Sequence, residues 1–430
     1  MSEDLMWSAE RGAAAGDRPA PAAARAEPSP VAGGRRRFGL RHRWLERLLE
    51  RVEAGTLALR LPDGSRSTHG RGEPAVDLSI DDWRACAAVL RRGDVGFAEA
   101  YIDGHWNSSD PARLIAFLLR NRAAAERAIY GSALGGLAYR IAHWLRSNTR
   151  AQARRNIVAH YDLGNAFYAL WLDPSMTYSS ALFDAADDPH EPATLEALQR
   201  AQQAKYRRVL HELELAPGAS VLEIGCGWGG FAEHAARAGM RTTALTLSPA
   251  QLGYASNRLG SQGLFADLQL RDYRDERARY DAIASIEMFE AVGERYWPAY
   301  FDTLARCLRP GGRACIQTIT IDDALFERYR RGTDFIQQYV FPGGMLPSPG
   351  AFEAQAARAG LKVLGRHAFG AHYARTLATW RARFTEALPR VRELGFDDRF
   401  VRLWTLYLAY CEGAFAQRST DVVQYTLAHR

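Results

Sequence analysis

Val221-Leu-Glu-Ile-Gly-Cys-Gly-Trp-Gly-Gly230 is the stretch from which the rest of the chain is read. A short apolar run enters a glycine-rich turn, and an apolar, alanine-rich segment at 231–238 leaves it. That order is strand, tight loop, helix: the setting in which backbone N–H groups at a helix start approach an adenosine-containing ligand. From Glu223 to Gly229 the pattern is G-x-G-x-G behind an acidic residue. Dinucleotide binders use G-x-G-x-x-G instead, and phosphate loops use G-x-x-x-x-G-K-[ST]. Glycine removes the Cβ that would clash with a bulky cofactor pressed against the backbone. No lysine follows to neutralise a triphosphate, so the loop points to S-adenosylmethionine. A plain strand–helix connector is the competing account.

Outward from the loop the pattern alternates. A helix is predicted at 194–213 and a strand at Ser220–Ile224, then a strand at 242–247 and a helix at 249–259. Strands at 266–270 and Tyr280–Ile286 follow. Next come a helix at 296–308, a turn at Arg309-Pro-Gly-Gly312 and a strand at 313–319. Strands interleaved with helices of this length make a mainly parallel, doubly wound α/β sheet covered on both faces. Ligands of such sheets sit at the carboxyl ends of the strands. The glycine loop, Thr246–Ser248, Asp272-Tyr273 and Glu287–Glu290 all fall at such ends.

The chain has 430 residues, room for two or three domains with a substantial core. No uncharged apolar run approaches the roughly 20 residues of a membrane span. Glu3 and Asp4 stand where a secretory leader would be basic and then apolar. The five cysteines are scattered, with no C-x-x-C pair; they read as reduced thiols, with no metal site expected. The net charge of +6 admits an anionic membrane face, nucleic acid or simply a solvated arginine-rich surface.

Residues 1–37, rich in Ala, Pro, Gly and Arg and closed by Arg35-Arg36-Arg37, are expected to be disordered. Residues 38–121 read as a small mixed α/β domain, with a strand alternation at 55–61 and short helical patterns at 81–90 and 93–102. Residues 122–155 carry a basic amphipathic pattern (Ile129, Leu137, Ile141 and Trp144 among Arg127, Arg140, Arg146 and Arg150). It suits a membrane surface or an interdomain linker helix. The remainder, 156–430, is the catalytic domain.

Several segments around this framework resemble the cyclopropane-fatty-acyl-phospholipid synthase family, which includes the mycolic acid cyclopropane synthases. They are His160-Tyr-Asp-Leu-Gly-Asn165, Met176-Thr-Tyr-Ser-Ser180, Glu287-Met-Phe-Glu-Ala-Val-Gly293 and Phe335-Ile-Gln-Gln-Tyr-Val-Phe-Pro-Gly-Gly344. Phe369-Gly-Ala-His-Tyr373, Tyr407-Leu-Ala-Tyr-Cys-Glu-Gly-Ala-Phe415 and Gly96-Phe-Ala-Glu-Ala-Tyr-Ile-Asp-Gly104 extend the likeness. The resemblance implies methyl transfer from S-adenosylmethionine to the alkene of an unsaturated fatty acyl chain of a phospholipid. It further implies cytoplasmic placement, with transient peripheral contact at the anionic inner face of the cell membrane. Nucleic acid is not an expected partner, and a homodimer is compatible with the sequence.

By the same resemblance Gly225 and Gly227 lie against the cofactor, with Tyr178 and Ser179. Thr246, Leu247, Ser248 and Gln251 hold its ribose and methionine end, and Asp272 and Tyr273 its adenine. A surface helix position is the competing account for Gln251.

Methyl transfer to an alkene leaves a carbocation, which aromatic faces stabilise without reacting. Tyr178, Trp228, Phe289, Tyr339 and Tyr373 are the candidates, each of which could equally be core. A proton must then leave. The family's bicarbonate-binding groups map onto Ser180, Glu290, Gln317, Ile319 and Tyr373. Ser180 and Gln317 stand where the family has cysteine and histidine, and Ala291 where a histidine usually follows the glutamate. Both can donate hydrogen bonds to an anion, but neither is an imidazole that could charge. Bicarbonate as a bound co-reactant is therefore in doubt. The product is either a cyclopropane ring or a methyl- or methylene-branched chain, with the branched product favoured. Glu290 is the foremost catalytic candidate, against a structural role beside an arginine. Two further readings are a binding or regulatory protein that keeps a degenerate methyltransferase fold and a methyltransferase of a soluble small molecule such as an amine.

Overall fold

In the computed structural model, residue 45 and residues 49–122, 163–184 and 188–430 are described. The tail at 1–37, all of the 122–155 segment except Arg122, and His160-Tyr-Asp162 lie outside the described residues.

The first sheet contains β1 (Gly55–Arg60), β2 (Arg66–Arg71), β3 (Ala75–Ile80) and β4 (Trp106–Asn107), in the order β2-β1-β3-β4. Alternation drives it: Leu57, Leu59, Val76, Leu78 and Ile80 turn inward to one core. The two short helical patterns expected at 81–90 and 93–102 are one helix, Arg84–Ile102, bent at Gly93, whose φ is +57°. Glycine adopts that conformation without the Cβ clash other residues meet, so the helix turns there instead of ending.

The second sheet has seven strands: β5 (Ser220–Ile224), β6 (Arg241–Thr246), β7 (Asp267–Leu270), β8 (Tyr280–Ile286), β9 (Leu308–Ile321), β10 (Leu361–Ala368) and β11 (Thr420–His429). Their order is β10-β11-β9-β8-β5-β6-β7. Pairings from β9 across to β7 are all parallel, and β11 alone runs against its neighbours. The mainly parallel α/β sheet is as expected. The turn expected at 309–312 is instead absorbed into β9, whose register against β8 slips from Tyr280↔Leu308 to Ala282↔Arg313. A bulge of this kind inserts residues without ending the strand.

Helices Leu195–Leu213, Gly230–Arg237, Pro249–Gly260 and Trp297–Cys307 supply the crossovers. Thr194 and Ser248 cap two of them, their side-chain oxygens accepting from Ala197 N and Gln251 N. Two long helices, Gly370–Glu386 and Asp398–Ala416, pack on each other near the strand ends. They bury Trp380 and Trp404 against Phe167, Tyr168 and Trp171. Trp171 meets Trp380 at 5.6 Å between ring centroids, and Phe167 meets Trp404 at 5.1 Å. Such ring pairs contribute about 0.5–1.5 kcal/mol each beyond the area they bury. The helix Asp398–Ala416 also reaches the first sheet's core. At Gly413 a Cβ would stand 2.9 Å from Ile115 Cγ2, so glycine permits that close approach.

Candidate active site

β5 delivers the chain into the glycine loop, and two bonds fasten the loop to the next strand: Gly225 N and Cys226 N both donate to Leu245 O, at 3.0 and 2.9 Å. Gly225 has φ +85° and Gly227 φ +52°. A Cβ on Gly225 would meet Met288 Cγ at 2.7 Å, whereas one on Gly227 would meet no atom within 4 Å. The two glycines therefore do different work. Gly225 lets β5 pass the β8 loop, and Gly227 leaves open space for a ligand against the backbone.

That space belongs to a cavity of about 330 Å³ at the carboxyl ends of β5, β6 and β8. Its wall includes Tyr178, Ser179, Gly225, Gly227, Thr246, Leu247 and Gln251, together with Asp272 and Tyr273. Ser248 is not on the wall; buried, it orders the turn, its N–H donating to Thr246 Oγ1 (3.1 Å) while its Oγ caps the following helix. Gln251 is buried, and its Oε1 accepts from Thr246 Oγ1 at 3.0 Å, which does not suit a surface helix position. Asp272 accepts three bonds from Arg274, one from its N–H and two from its guanidinium.

Glu223, which the sequence reading used only as a motif letter, also lines the cavity and is 3% exposed. Among the described residues its Oε2 has no hydrogen-bond partner, and burial pushes its carboxyl up to about 8. An unpartnered buried acceptor next to the open space at Gly227 suits a ligand that brings its own donor, as the ammonium of S-adenosylmethionine does.

The aromatic candidates separate. Tyr178, Trp228 and Tyr373 face the cavity. Trp228 is oriented by its Nε1–H, which donates to Asn165 Oδ1 at 2.8 Å. Phe289 is fully buried in a different cluster, 4.8 Å from Tyr300 and 5.5 Å from Trp297 between centroids, and is core. Tyr339 is 37% exposed, off the cavity wall, and its hydroxyl donates to Glu99. Sequence reasoning missed Tyr407, Tyr410, Phe341 and Phe415 as wall residues. Tyr407 shares a 2.7 Å hydroxyl–hydroxyl bond with Tyr178.

At the far wall the five residues assigned to proton removal converge, though not on an open space. Glu290, Ile319 and Tyr373 line the cavity; Ser180 and Gln317 are fully buried behind it. Ser180 N–H and Gln317 Nε2–H both donate to Glu287 Oε1, at 2.8 and 2.7 Å, and the Tyr373 hydroxyl donates to the same carboxylate. Ser180 thus acts through its backbone; its hydroxyl donates to Ala181 O. Gln424 Nε2 donates to Gln317 Oε1 at 2.9 Å, fixing which end of that amide meets Glu287.

Lys205, fully buried on the helix Leu195–Leu213, donates to Ser179 Oγ at 2.5 Å. Burial pulls its ammonium down and pushes Glu287 up, while the attraction between them opposes both effects. Glu290 Oε1 accepts from Thr318 Oγ1 (3.0 Å) and from Ile319 N–H, and its Oε2 has no partner among the described residues. Burial, and then the neighbouring charge of Glu287, push Glu290 up to about 8. Among the described residues no arginine pairs with it; its polar partners there are Thr318 and the Ile319 backbone.

Glu287 and Lys205 were not singled out from the sequence. Glu287 sits three residues before Glu290, and an i, i+3 acid pair at a strand end was the available signal. Lys205 lies in Ala204-Lys-Tyr-Arg-Arg208, which reads as a solvated helix face.

Residues 148–425 match the family model described as mycolic acid cyclopropane synthetase. The chain is 38% identical over 397 residues to tuberculostearic acid methyltransferase UfaA1 of Mycobacterium tuberculosis, covering 89% of this chain and 90% of that one. It is 34% identical over 361 residues to cyclopropane-fatty-acyl-phospholipid synthase of Escherichia coli K12, covering 82% and 88%. Among solved structures, mycolic acid cyclopropane synthase CmaA1 complexed with SAH and CTAB superposes with a TM-score of 0.59 at 31% identity. That match covers 64% of this chain and 97% of that one.

Proposed function

We propose that this chain, which belongs to the mycolic acid cyclopropane synthetase family and is an S-adenosylmethionine-dependent methyltransferase, alkylates the double bond of an unsaturated fatty acyl chain carried by a phospholipid. The observation that carries this reading is one continuous cavity with two kinds of wall. It runs from the glycine loop at Gly225 and Gly227 to an apolar end at Leu377, Tyr407, Ala414 and Phe415. An acyl chain needs the second wall, and a soluble amine has no use for its length of aliphatic and aromatic surface.

Gly225, Gly227, Tyr178 and Ser179 would hold the cofactor near its reactive centre, with Thr246, Leu247 and Gln251 at ribose and methionine. Asp272 and Tyr273 would meet the adenine, and Ser248 supports this set by ordering the turn. Bound there, the cofactor supplies an electrophilic methyl group on a sulfonium. The remaining work belongs to the chain: it holds the alkene in line, keeps water out, and faces the developing cation with Tyr178, Trp228 and Tyr373. Glu290, with Ile319 and Thr318 behind it, offers an unpartnered carboxyl oxygen to whatever lies beside the reacting carbons.

The relatives are named both as cyclopropane synthases and as a methyltransferase, so methyl transfer is the shared step. The relative with 89% coverage is named as a methyltransferase, which supports the branched product over the ring. Among the described residues no helix is long and apolar enough to cross a membrane. We take the acyl chain to be delivered by peripheral contact with an anionic surface at the inner face of the cell membrane, with the basic segment 122–155 as its docking element.

The experiment is incubation of the full chain with methyl-labelled cofactor and vesicles of monounsaturated phosphatidylglycerol, followed by mass spectrometry of the acyl chains. Acyl chains heavier by one CH2 unit are expected. Unmodified lipid together with labelled soluble amines would sink the proposal, and a cyclopropane as the sole product would sink its branched form.

A further inference from the structure

Three features of Glu287 set it apart from every other acidic side chain on the cavity wall. Its backbone φ is +48°. A glycine occupies that left-handed region without strain, whereas a β-carbon clashes there. The position tolerates strain in order to carry a side chain. Secondly, its carboxylate takes the donors that would otherwise hold a small anion: Ser180 N–H, Gln317 Nε2–H and the Tyr373 hydroxyl. Thirdly, the buried Lys205 lies close enough to oppose the effect of burial on it, whereas among the described residues Glu290 has no cation in contact and is repelled by Glu287. Burial raises both carboxyls, but at Glu287 the Lys205 ammonium and the three donors oppose that rise, whereas at Glu290 the charge of Glu287 adds to it, so the two neighbours stand in unlike surroundings. A second anion placed here would face Glu287 and find its donors already bonded.

We propose that Glu287 is the chain's own proton acceptor and that no external anion serves in that role. Ser180, Gln317, Tyr373 and Lys205 are positioning residues: three of them hold its carboxyl by hydrogen bonds at the cavity wall, and the Lys205 charge opposes the effect of its burial. This inference rests on the alkene-alkylation reading above.

The alkene π pair forms the new C–C bond to the methyl carbon, and the S–C pair leaves with sulfur, so S-adenosylhomocysteine departs neutral at sulfur. The adjacent acyl carbon is left cationic. Glu287 then takes one proton from the transferred carbon. If the freed C–H pair closes on the cation directly, a cyclopropane forms. If a hydride first shifts from the methylated carbon to its neighbour, the same pair forms an exocyclic methylene. In both cases one proton passes to Glu287 and later to water, with no oxidant or reductant. A saturated methyl branch would need a separate reduction.

The test uses the full chain in bicarbonate-depleted buffer. Turnover on unsaturated phosphatidylglycerol vesicles is measured with and without added bicarbonate, and calorimetry measures S-adenosylhomocysteine and bicarbonate binding. Wild-type turnover should be indifferent to bicarbonate, and bicarbonate should give no saturable heat. Glu287→Gln should lose about 100-fold in turnover, the scale of a general base, with S-adenosylhomocysteine affinity kept within about threefold. Glu287→Ala frees the donors and the space, so bicarbonate should now bind saturably and added formate should restore about tenfold of the lost rate. Bicarbonate stimulation of the wild type would overturn the assignment. So would a Glu287→Gln variant within about threefold of wild type, or an alanine variant that formate does not restore. If wild-type protein binds S-adenosylhomocysteine yet never modifies lipid, the alkylation reading fails instead.

Discussion

The two ends of the cavity are built in opposite ways. The glycine-loop end is centred on one strand, one loop and one helix, residues 220–237, whose Gly225 and Gly227 present backbone, with Thr246, Gln251, Asp272 and Tyr273 completing it. The far end is a knot of the Ser180 backbone N–H with the side chains of Lys205, Glu287, Gln317 and Tyr373, on five separate segments. A backbone site tolerates side-chain drift and specifies a cofactor. A convergent side-chain site changes with each substitution and specifies what becomes of the intermediate. One fold can keep its cofactor while relatives differ in product.

Substitutions at each end should separate the two, and the largest effect is expected at the loop. Gly225→Val combines a φ of +85° with a Cβ position 2.7 Å from Met288 Cγ. It should weaken S-adenosylhomocysteine binding and turnover together, by about 100-fold, because the strain falls on the loop itself. Calorimetry with kinetics checks this; turnover lost with affinity intact would merge the two ends into one.

Glu290→Gln should lower turnover about tenfold and leave cofactor affinity within about threefold, since a neutral donor replaces a neutral acid. Its pH profile is the sharper measure. The folded pKa lies near 8, above the ordinary carboxyl value, so the protonated form predominates below that pH and is lost as pH rises through it. Wild-type turnover should therefore fall above pH 8, and in Glu290→Gln that descending limb should vanish. Stability follows the same sign: the folded state holds the extra proton, and its contribution fades as pH climbs toward 8.

Tyr407→Phe removes the hydroxyl bonded to Tyr178 and should cost a few-fold in turnover, about 1 kcal/mol. A larger loss would mean that the hydroxyl itself acts on the substrate. Least of all should Tyr339→Phe matter. Its ring lies off the cavity, so turnover should stay within about twofold and vesicle kinetics should match wild type.

The sequence was most legible where structure is local. β5 and β8 were placed to the residue at both ends because each is a short buried apolar run closed by a glycine turn or a strand-end acid. The bulge in β9 was read as a turn because Pro-Gly-Gly is the usual mark of one, and tertiary pairing with β8 overrode it. The helix joined across Gly93 has the same kind of cause, a breaker residue used as a bend.

At the site, Gly225 and Gly227 are read from one stretch. The far end is not, because Glu287 meets Ser180 across 107 positions and Gln317 across 30. Glu287 was hidden behind Glu290 in a single motif, and Lys205 behind the basic face of its own helix. Phe289 and Tyr339 stand in family-like segments, yet neither side chain turns toward the cavity. Side-chain direction, unlike segment identity, depends on the packing of helices that no local pattern announces.

The central claim is that cofactor and acyl chain meet in this cavity and that a carboxylate of the chain takes a proton from the transferred carbon. Mass spectrometry of phospholipid acyl chains after reaction with trideuteromethyl cofactor tests it most directly. The account predicts acyl chains that carry two deuterons on the added carbon, one having been lost to the protein. Retention of all three, or deuterium on the headgroup with the acyl chain unlabelled, would contradict it.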